Sequence, residues 1–116
     1  MDETLNTTLV DSIDLSSVLD AVNFYQAGKF NEAIVALQSV LKMEPDNSEA
    51  RLMLAVSYYK TGQLTNALAA FRRICEQSKD PELQTKAIEG ARVTSAKLNK
   101  NTAAAAYHEN LSWLSK

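Results

Sequence analysis

The chain has 116 residues, of which 46% are hydrophobic and 22% charged, ordinary values for one small globular domain. Its formal net charge of -2 does not suggest the concentrated basic face that nucleic-acid-binding proteins usually carry. Only 3 glycines and 2 prolines are present, which argues against a turn-rich all-β fold and favours long helices.

Residues 1–13 precede the first predicted helix. They are acidic and polar and show weak hydrophobic periodicity, so we expect a mobile N-terminal segment. They lack the basic start and apolar stretch of a secretory signal. No run in the chain approaches the roughly 18 apolar residues that would span a bilayer. The chain has a single cysteine, Cys75, so no intramolecular disulfide can form, and we expect a cytoplasmic protein.

An internal repeat organises the next part of the sequence. A shift of 34 residues superimposes two stretches of the chain, and the size class of the side chain is kept at nearly every superimposed position. The pairs include Val18 with Leu52, Ala21 with Ala55, Val22 with Val56, Phe24 with Tyr58, Tyr25 with Tyr59, Gly28 with Gly62, Ala33 with Ala67 and Leu37 with Phe71.

Each copy of the repeat predicts a hairpin of two helices. In the first copy we expect helices at 17–27 and 31–43, since the apolar residues of the second of these follow helical spacing. Gly28 stands between them, where positive φ is commonly needed, and Pro45 ends the unit. The second copy predicts helices at about 48–61 and 64–77, with Gly62 at the turn.

This pattern resembles the tetratricopeptide repeat (TPR) family. The family motif has a small residue, an aromatic residue three positions later, a turn glycine, an alanine, a large apolar residue four positions later and a closing proline. The resemblance covers residues 14–81, as two repeats at 14–47 and 48–81. The matching residues are Ala21, Phe24, Gly28, Ala33, Leu37 and Pro45 in the first copy, and Ala55, Tyr58, Gly62, Ala67 and Phe71 in the second.

The first copy departs from the family pattern on one side. Ser17 and Arg51 stand where the family has a large residue, and Asp20 replaces the leucine that Leu54 supplies in the second copy. Lys79 stands where the first copy has Pro45. The polar residues of the first copy suggest a terminal repeat whose outer side is partly solvated.

The 34-residue register fails after Pro81. Asp80 and Pro81 are typical of an N-cap followed by proline at the first helical position. We expect a helix at 82–98, a break at 99–101 and a last helix at 102–115, so that residues 82–116 form a divergent third repeat or a capping helix hairpin. The whole fold is then all-α, with antiparallel helix hairpins. The resemblance implies that they stack as a short right-handed solenoid.

No constellation of residues in the sequence predicts catalysis, a cofactor or a metal site. His108 is the only histidine and stands among polar neighbours, as solvated surface histidines do. Cys75 aligns with Leu41, which favours a small buried apolar residue over a nucleophile. Arg72 and Arg73 are adjacent, so helical geometry points them in different directions and they are interpreted as a solvated face.

The resemblance implies a binding surface, because the first helix of each TPR hairpin lines a concave groove. Most of the residues that it assigns to this groove are apolar, and the tyrosine pair could grip a peptide. Leu19 and Met53 replace the asparagines of relatives that clamp a terminal carboxylate, which argues against that type of adaptor. The groove positions are Val18, Leu19, Val22, Tyr25, Gln26, Leu52, Met53, Val56, Tyr59 and Lys60.

The predicted function is a non-enzymatic protein–protein interaction module: an adaptor, scaffold or assembly factor that binds an apolar peptide or helix. One alternative is a self-associating unit that forms a homo-oligomer through the groove or through the C-terminal helix, with Tyr107, Trp113 and Leu114 as candidate contacts. Another is a small TPR chaperone of the secretion type. The structural alternative for the groove itself is that its residues are buried against the C-terminal helices or the N-terminal segment.

Overall fold

The computed structural model of the chain describes the backbone of residues 17–114 and the side chains of residues 17–100. The N-terminal segment predicted at 1–13 lies outside the described residues. Every regular element within them is a helix, as the all-α prediction requires. The five helices are α1 at 17–26, α2 at Phe30–Met43, α3 at Ser48–Lys60, α4 at Leu64–Gln77 and α5 at Pro81–Leu114.

The two predicted turn glycines end α1 and α3 in the same way. Gly28 has φ 78° and Gly62 has φ 81°, a conformation that glycine adopts without a steric penalty. After α1, the backbone N–H of Lys29 donates to the carbonyl of Phe24 at 2.8 Å, and after α3 the N–H of Gln63 donates to the carbonyl of Tyr58 at 2.8 Å. These bonds satisfy helix-end carbonyls and turn the chain into the next helix.

α3 and α5 are each capped at the N-terminal end by the side chain of a residue that precedes the helix. The Asn47 carboxamide oxygen accepts a hydrogen bond from the N–H of Ala50 at 3.0 Å, and an Asp80 carboxylate oxygen accepts one from the N–H of Glu82 at 3.0 Å. Both therefore satisfy donors that the first helical turn leaves without a partner. The prediction of Asp80 as an N-cap with proline at the first helical position is confirmed.

Small residues in the repeat register lie where the helices pack most closely. Ala33, Ala55 and Ala67 are 0% exposed, and Ala21 is 1% exposed. One hydrophobic cluster joins α1, α2 and the start of α3, and a second joins α3, α4 and α5. Each helix from α2 to α4 packs on the next one, and α5 also contacts α3.

The C-terminal hairpin predicted for residues 82–116 is wrong within the described residues, because α5 runs unbroken from Pro81 to Leu114. Residues 99–101 contain neither glycine nor proline. Asparagine costs a helix only a few tenths of a kcal/mol, roughly 0.7 at most, relative to alanine. The four alanines Ala103–Ala106 that follow are the strongest helix formers, so the helix continues across the predicted break.

Candidate functional site

The groove positions on α1 are partly exposed. Val18, Val22 and Tyr25 are half-buried, while Leu19 is 52% exposed and Gln26 is exposed. Val18 and Tyr25 pack against the cluster that joins α1, α2 and the start of α3. The Tyr25 ring meets the Phe30 ring edge to face, with 5.9 Å between the ring centroids. This contact crosses the turn at Gly28 and limits the orientations open to Tyr25.

Burial raises the pKa of the Tyr25 phenol. The neutral phenol is the form that this partly desolvated position favours. At neutral pH the side chain therefore offers a large apolar face together with a hydroxyl that can donate or accept a hydrogen bond.

The groove positions on α3 form parts of two clefts. Val56 and Tyr59 line a cleft of about 170 Å³, and Leu52 and Met53 line another of about 290 Å³. All four side chains are half-buried, and Lys60 is exposed. Leu52, Val56 and Tyr59 pack against the cluster that includes α5, so the C-terminal helix covers part of their surface and leaves the rest open.

The first of these clefts has a wall on α5 that the sequence analysis missed. Gly90, Val93 and Thr94 face Val56 and Tyr59 across it. Val93 is 43% exposed, and the Lys97 ammonium nitrogen lies 4.9 Å from the centroid of the Tyr59 ring. This distance is short enough for a cation–π interaction, so Lys97 places a positive charge beside the apolar cleft.

The missed residues share a simple signal that the lost repeat register concealed. Val93 and Lys97 are four residues apart, a spacing that puts two side chains on one face of a helix. The shift of 70 residues aligns Val22 with Arg92 and Tyr25 with Ser95, one or two positions from the residues that line the cleft. The structure shows which face of α5 turns toward α3, and the sequence pattern alone did not.

Packing and solvation account for Cys75, Arg72 and Arg73. Cys75 packs against the cluster of α3, α4 and α5, as expected of a small apolar residue, but it is half-buried and not fully buried as predicted. Arg72 and Arg73 are exposed, and His108 lies outside the described side chains. Within residues 17–100, no three His, Cys, Asp or Glu side chains come together as a metal site would require.

Comparison with known proteins identifies the family of the chain. Residues 24–88 match the tetratricopeptide repeat family, a range that contains the two turn glycines and the buried alanines Ala33, Ala55 and Ala67. A search of the curated proteins and a search of the solved structures each gave no match. No helix in the described part of the chain has the length and apolar character needed to cross a membrane.

Tetratricopeptide repeats generally mediate protein–protein interactions and bind proteins or peptides, and the family is typically non-enzymatic. The matched residues span more than half of the chain and include α2, α3 and α4 entirely. The chain therefore belongs to the tetratricopeptide repeat family.

Proposed function

We propose that the protein is a non-enzymatic binding module whose groove takes an apolar peptide or helix of a partner protein. The groove is formed by the ten positions on α1 and α3 named above, and α5 extends it with Val93 and Lys97. The observation that carries the proposal is that apolar side chains repeat on α1 and α3 and remain partly exposed. Apolar surface of this kind commonly marks an interaction site.

The chemistry of the groove favours an apolar ligand with a limited polar component. Leu19, Val22 and Val56 offer aliphatic surface, and the two tyrosines add large rings with hydroxyl groups. An extended or helical segment could bury apolar side chains against them. Burial of such surface contributes about 25 cal/mol per Å², so a few aliphatic anchors would supply most of the affinity.

A selection from a phage-displayed library of random peptides tests this proposal. We expect the protein to enrich peptides with several apolar residues, because the groove offers no row of asparagines to clamp a carboxylate. The Val22→Glu, Val56→Glu double variant should weaken the binding of a selected peptide by tenfold or more, which corresponds to about 1.4 kcal/mol. Fluorescence anisotropy of the labelled peptide measures the difference.

The matched control is Val35→Glu, which makes the same substitution on α2. Val35 is 65% exposed and lies away from the groove, in the cleft between α1 and α2. We expect this variant to bind the selected peptide as the unchanged protein does. Equal binding by the groove double variant, with its helicity preserved by circular dichroism, would show that the peptide binds elsewhere.

A further inference from the structure

The first helix of each hairpin is covered along one side by the second helix of the same hairpin, except in the last case. Ala55 is the eighth residue of α3, and it is 0% exposed in the cluster that contains Ala67 of α4. Ile88 of α5 is 58% exposed. α5 is the last helix in the described part of the chain, so no following helix packs against the side that carries Ile88.

The uncovered side of α5 continues as a stripe. Ile88, Ala91, Ser95 and Leu98 follow one another at intervals of three and four residues, which places them along one side of the helix. Ala91, Ser95 and Leu98 are half-buried and Ile88 is exposed. Ala91 lies at the edge of the stripe and packs against the cluster of α3, α4 and α5, so Ile88, Ser95 and Leu98 are the part of the stripe that stays exposed or half-buried.

The segment that could cover this stripe within the same chain is held away from it. Residues 101–114 continue α5 without a break, so they cannot fold back along residues 82–98 while residues 99–101 remain helical. Those 14 residues equal the length of α2 and of α4, which have 14 residues each.

We propose that two copies of the chain exchange this segment, so that residues 101–114 of each copy lie along the uncovered stripe of α5 in the other. The two α5 helices then run antiparallel, with the two-fold axis near Lys100. The geometry of a straight helix brings Ile88 level with the turn that contains Leu111 of the second copy. Domain swapping of this kind needs no surface beyond that of the closed hairpin.

The sequence pattern of residues 101–114 favours a second copy of the chain, and not an unrelated helix, as the partner of the stripe. The sequence pattern of residues 82–115 is that of a hairpin, since Ala103 and Tyr107 align with Ala33 and Leu37 of α2 after a shift of 70 residues. The segment is thus patterned to pack on a first helix, and in the open form the first helix available to it belongs to another copy. This inference goes beyond the proposed peptide groove and does not depend on it.

The oligomeric state of the full chain, measured by size-exclusion chromatography with light scattering, tests the exchange. We expect a dimer. A Gly-Gly insertion between Lys100 and Asn101 should convert it to a monomer, because a flexible turn lets the segment fold back on its own stripe at an effective concentration of roughly millimolar. A chain that is monomeric at its highest soluble concentration would overturn the proposal, as would a dimer that survives the insertion.

Trp113 is the only tryptophan in the chain, so its fluorescence reports on the exchanged segment alone. We expect Ile88→Glu to dissociate the dimer and shift the emission of Trp113 to longer wavelength, and Val35→Glu to change neither. A dimer that keeps both its mass and its emission in Ile88→Glu would contradict the proposed contact. Circular dichroism of each variant checks that the helices remain folded.

Discussion

The outer faces of the first and second helix pairs differ although the pairs share one sequence register. In the first pair, Ser17, Asp20 and Phe24 line an open cleft of about 370 Å³ between α1 and α2. The same positions in the second pair are Arg51, Leu54 and Tyr58, and there Leu41 of α2 joins the lining. The other lining positions that the two clefts share are Glu32 with Asn66, Val35 with Ala69, Ala36 with Ala70 and Ser39 with Arg73.

The difference between the two faces follows from what packs against each. Leu54 is 7% exposed and belongs to the cluster formed with α1 and α2, whereas Asp20 is exposed. The Gln38 carboxamide donates a hydrogen bond to the Tyr58 hydroxyl at 2.9 Å, a link from α2 to α3 that Phe24 could not make. Equivalent positions of a repeat therefore differ in their tolerance of polar residues according to their neighbours.

Exchanging the residues at the equivalent positions 20 and 54 should give the largest difference in stability between the two helix pairs. Leu54→Asp removes a buried apolar side chain and brings a carboxylate into the cluster, so we expect a loss of about 3–5 kcal/mol or more in the free energy of unfolding. Asp20→Leu should change it by about 0.5 kcal/mol or less. Urea unfolding followed by circular dichroism measures both, and similar losses in the two variants would refute the comparison.

The next largest difference in stability is expected between alanine substitutions of Arg51 and of its counterpart Ser17. Arg51 is 9% exposed as a residue, and its Nη2 donates to the carbonyl of Pro45 at 2.9 Å. Burial lowers the pKa of Arg51, and the positive charge of Arg73 lowers it further. Hydrogen bonds of charged groups contribute about 1.5–3 kcal/mol, so Arg51→Ala should lose an amount in this range.

Ser17→Ala is the matched control for the arginine variant. Ser17 is half-buried in the open cleft between α1 and α2, and we expect a change of about 0.5 kcal/mol or less in the free energy of unfolding. Thermal unfolding of both variants is the measurement. A loss in Ser17→Ala as large as that in Arg51→Ala would show that the first pair has a buried outer face as well.

Gly90 tests the close packing of α5 on α4. A Cβ atom at Gly90 would overlap the Phe71 ring, although alanine is otherwise a better helix former by about 1 kcal/mol. We expect Gly90→Ala to lose about 1–3 kcal/mol, the usual cost of overpacking. In a protein that carries Phe71→Leu, Gly90→Ala should cost less, because the aromatic ring that the new Cβ atom would overlap is gone. Leucine is also the residue that the first pair has at this position. A double-mutant cycle in urea measures the coupling, and a stabilised Gly90→Ala protein would contradict the packing.

The smallest expected effect concerns Tyr25 at alkaline pH. Its pKa is raised in the folded state by burial, so above the unfolded value of about 10 the folded chain holds this proton more tightly. The contribution of Tyr25 to stability is therefore constant below about pH 10 and is lost as the pH rises through the folded pKa. Tyr25→Phe should show a shallower decline in stability above pH 10, and an unchanged decline would show that Tyr25 titrates normally.

The sequence predicted the first four helices and their turns closely because each boundary has a local cause. Gly28 and Gly62 supply positive φ, and the alanines mark the helix crossings, so the 34-residue register carried the fold as far as α4. The course of α5 could not be predicted in the same way. Residues 99–101 have only a weak preference against helix, and the alanines after them decide the outcome.

The repeat register assigned candidate groove positions on α1 and α3 and none on α5. The position of Val93 and Lys97 beside the cleft depends on how α5 is rotated about its axis. That rotation is set by the packing of Ala87 and Gly90 against α4. Such tertiary packing leaves no periodic signal once the repeat register has been lost.

The most direct test of the proposed groove is methyl NMR of the valines and leucines during titration with a peptide selected from the random library. We expect the methyl signals of Val22, Leu52 and Val56 to shift or broaden in proportion to the bound fraction, while those of Val35 remain in place. Shifts confined to Val35 and other residues of the cleft between α1 and α2, with Val22 and Val56 unchanged, would contradict the account.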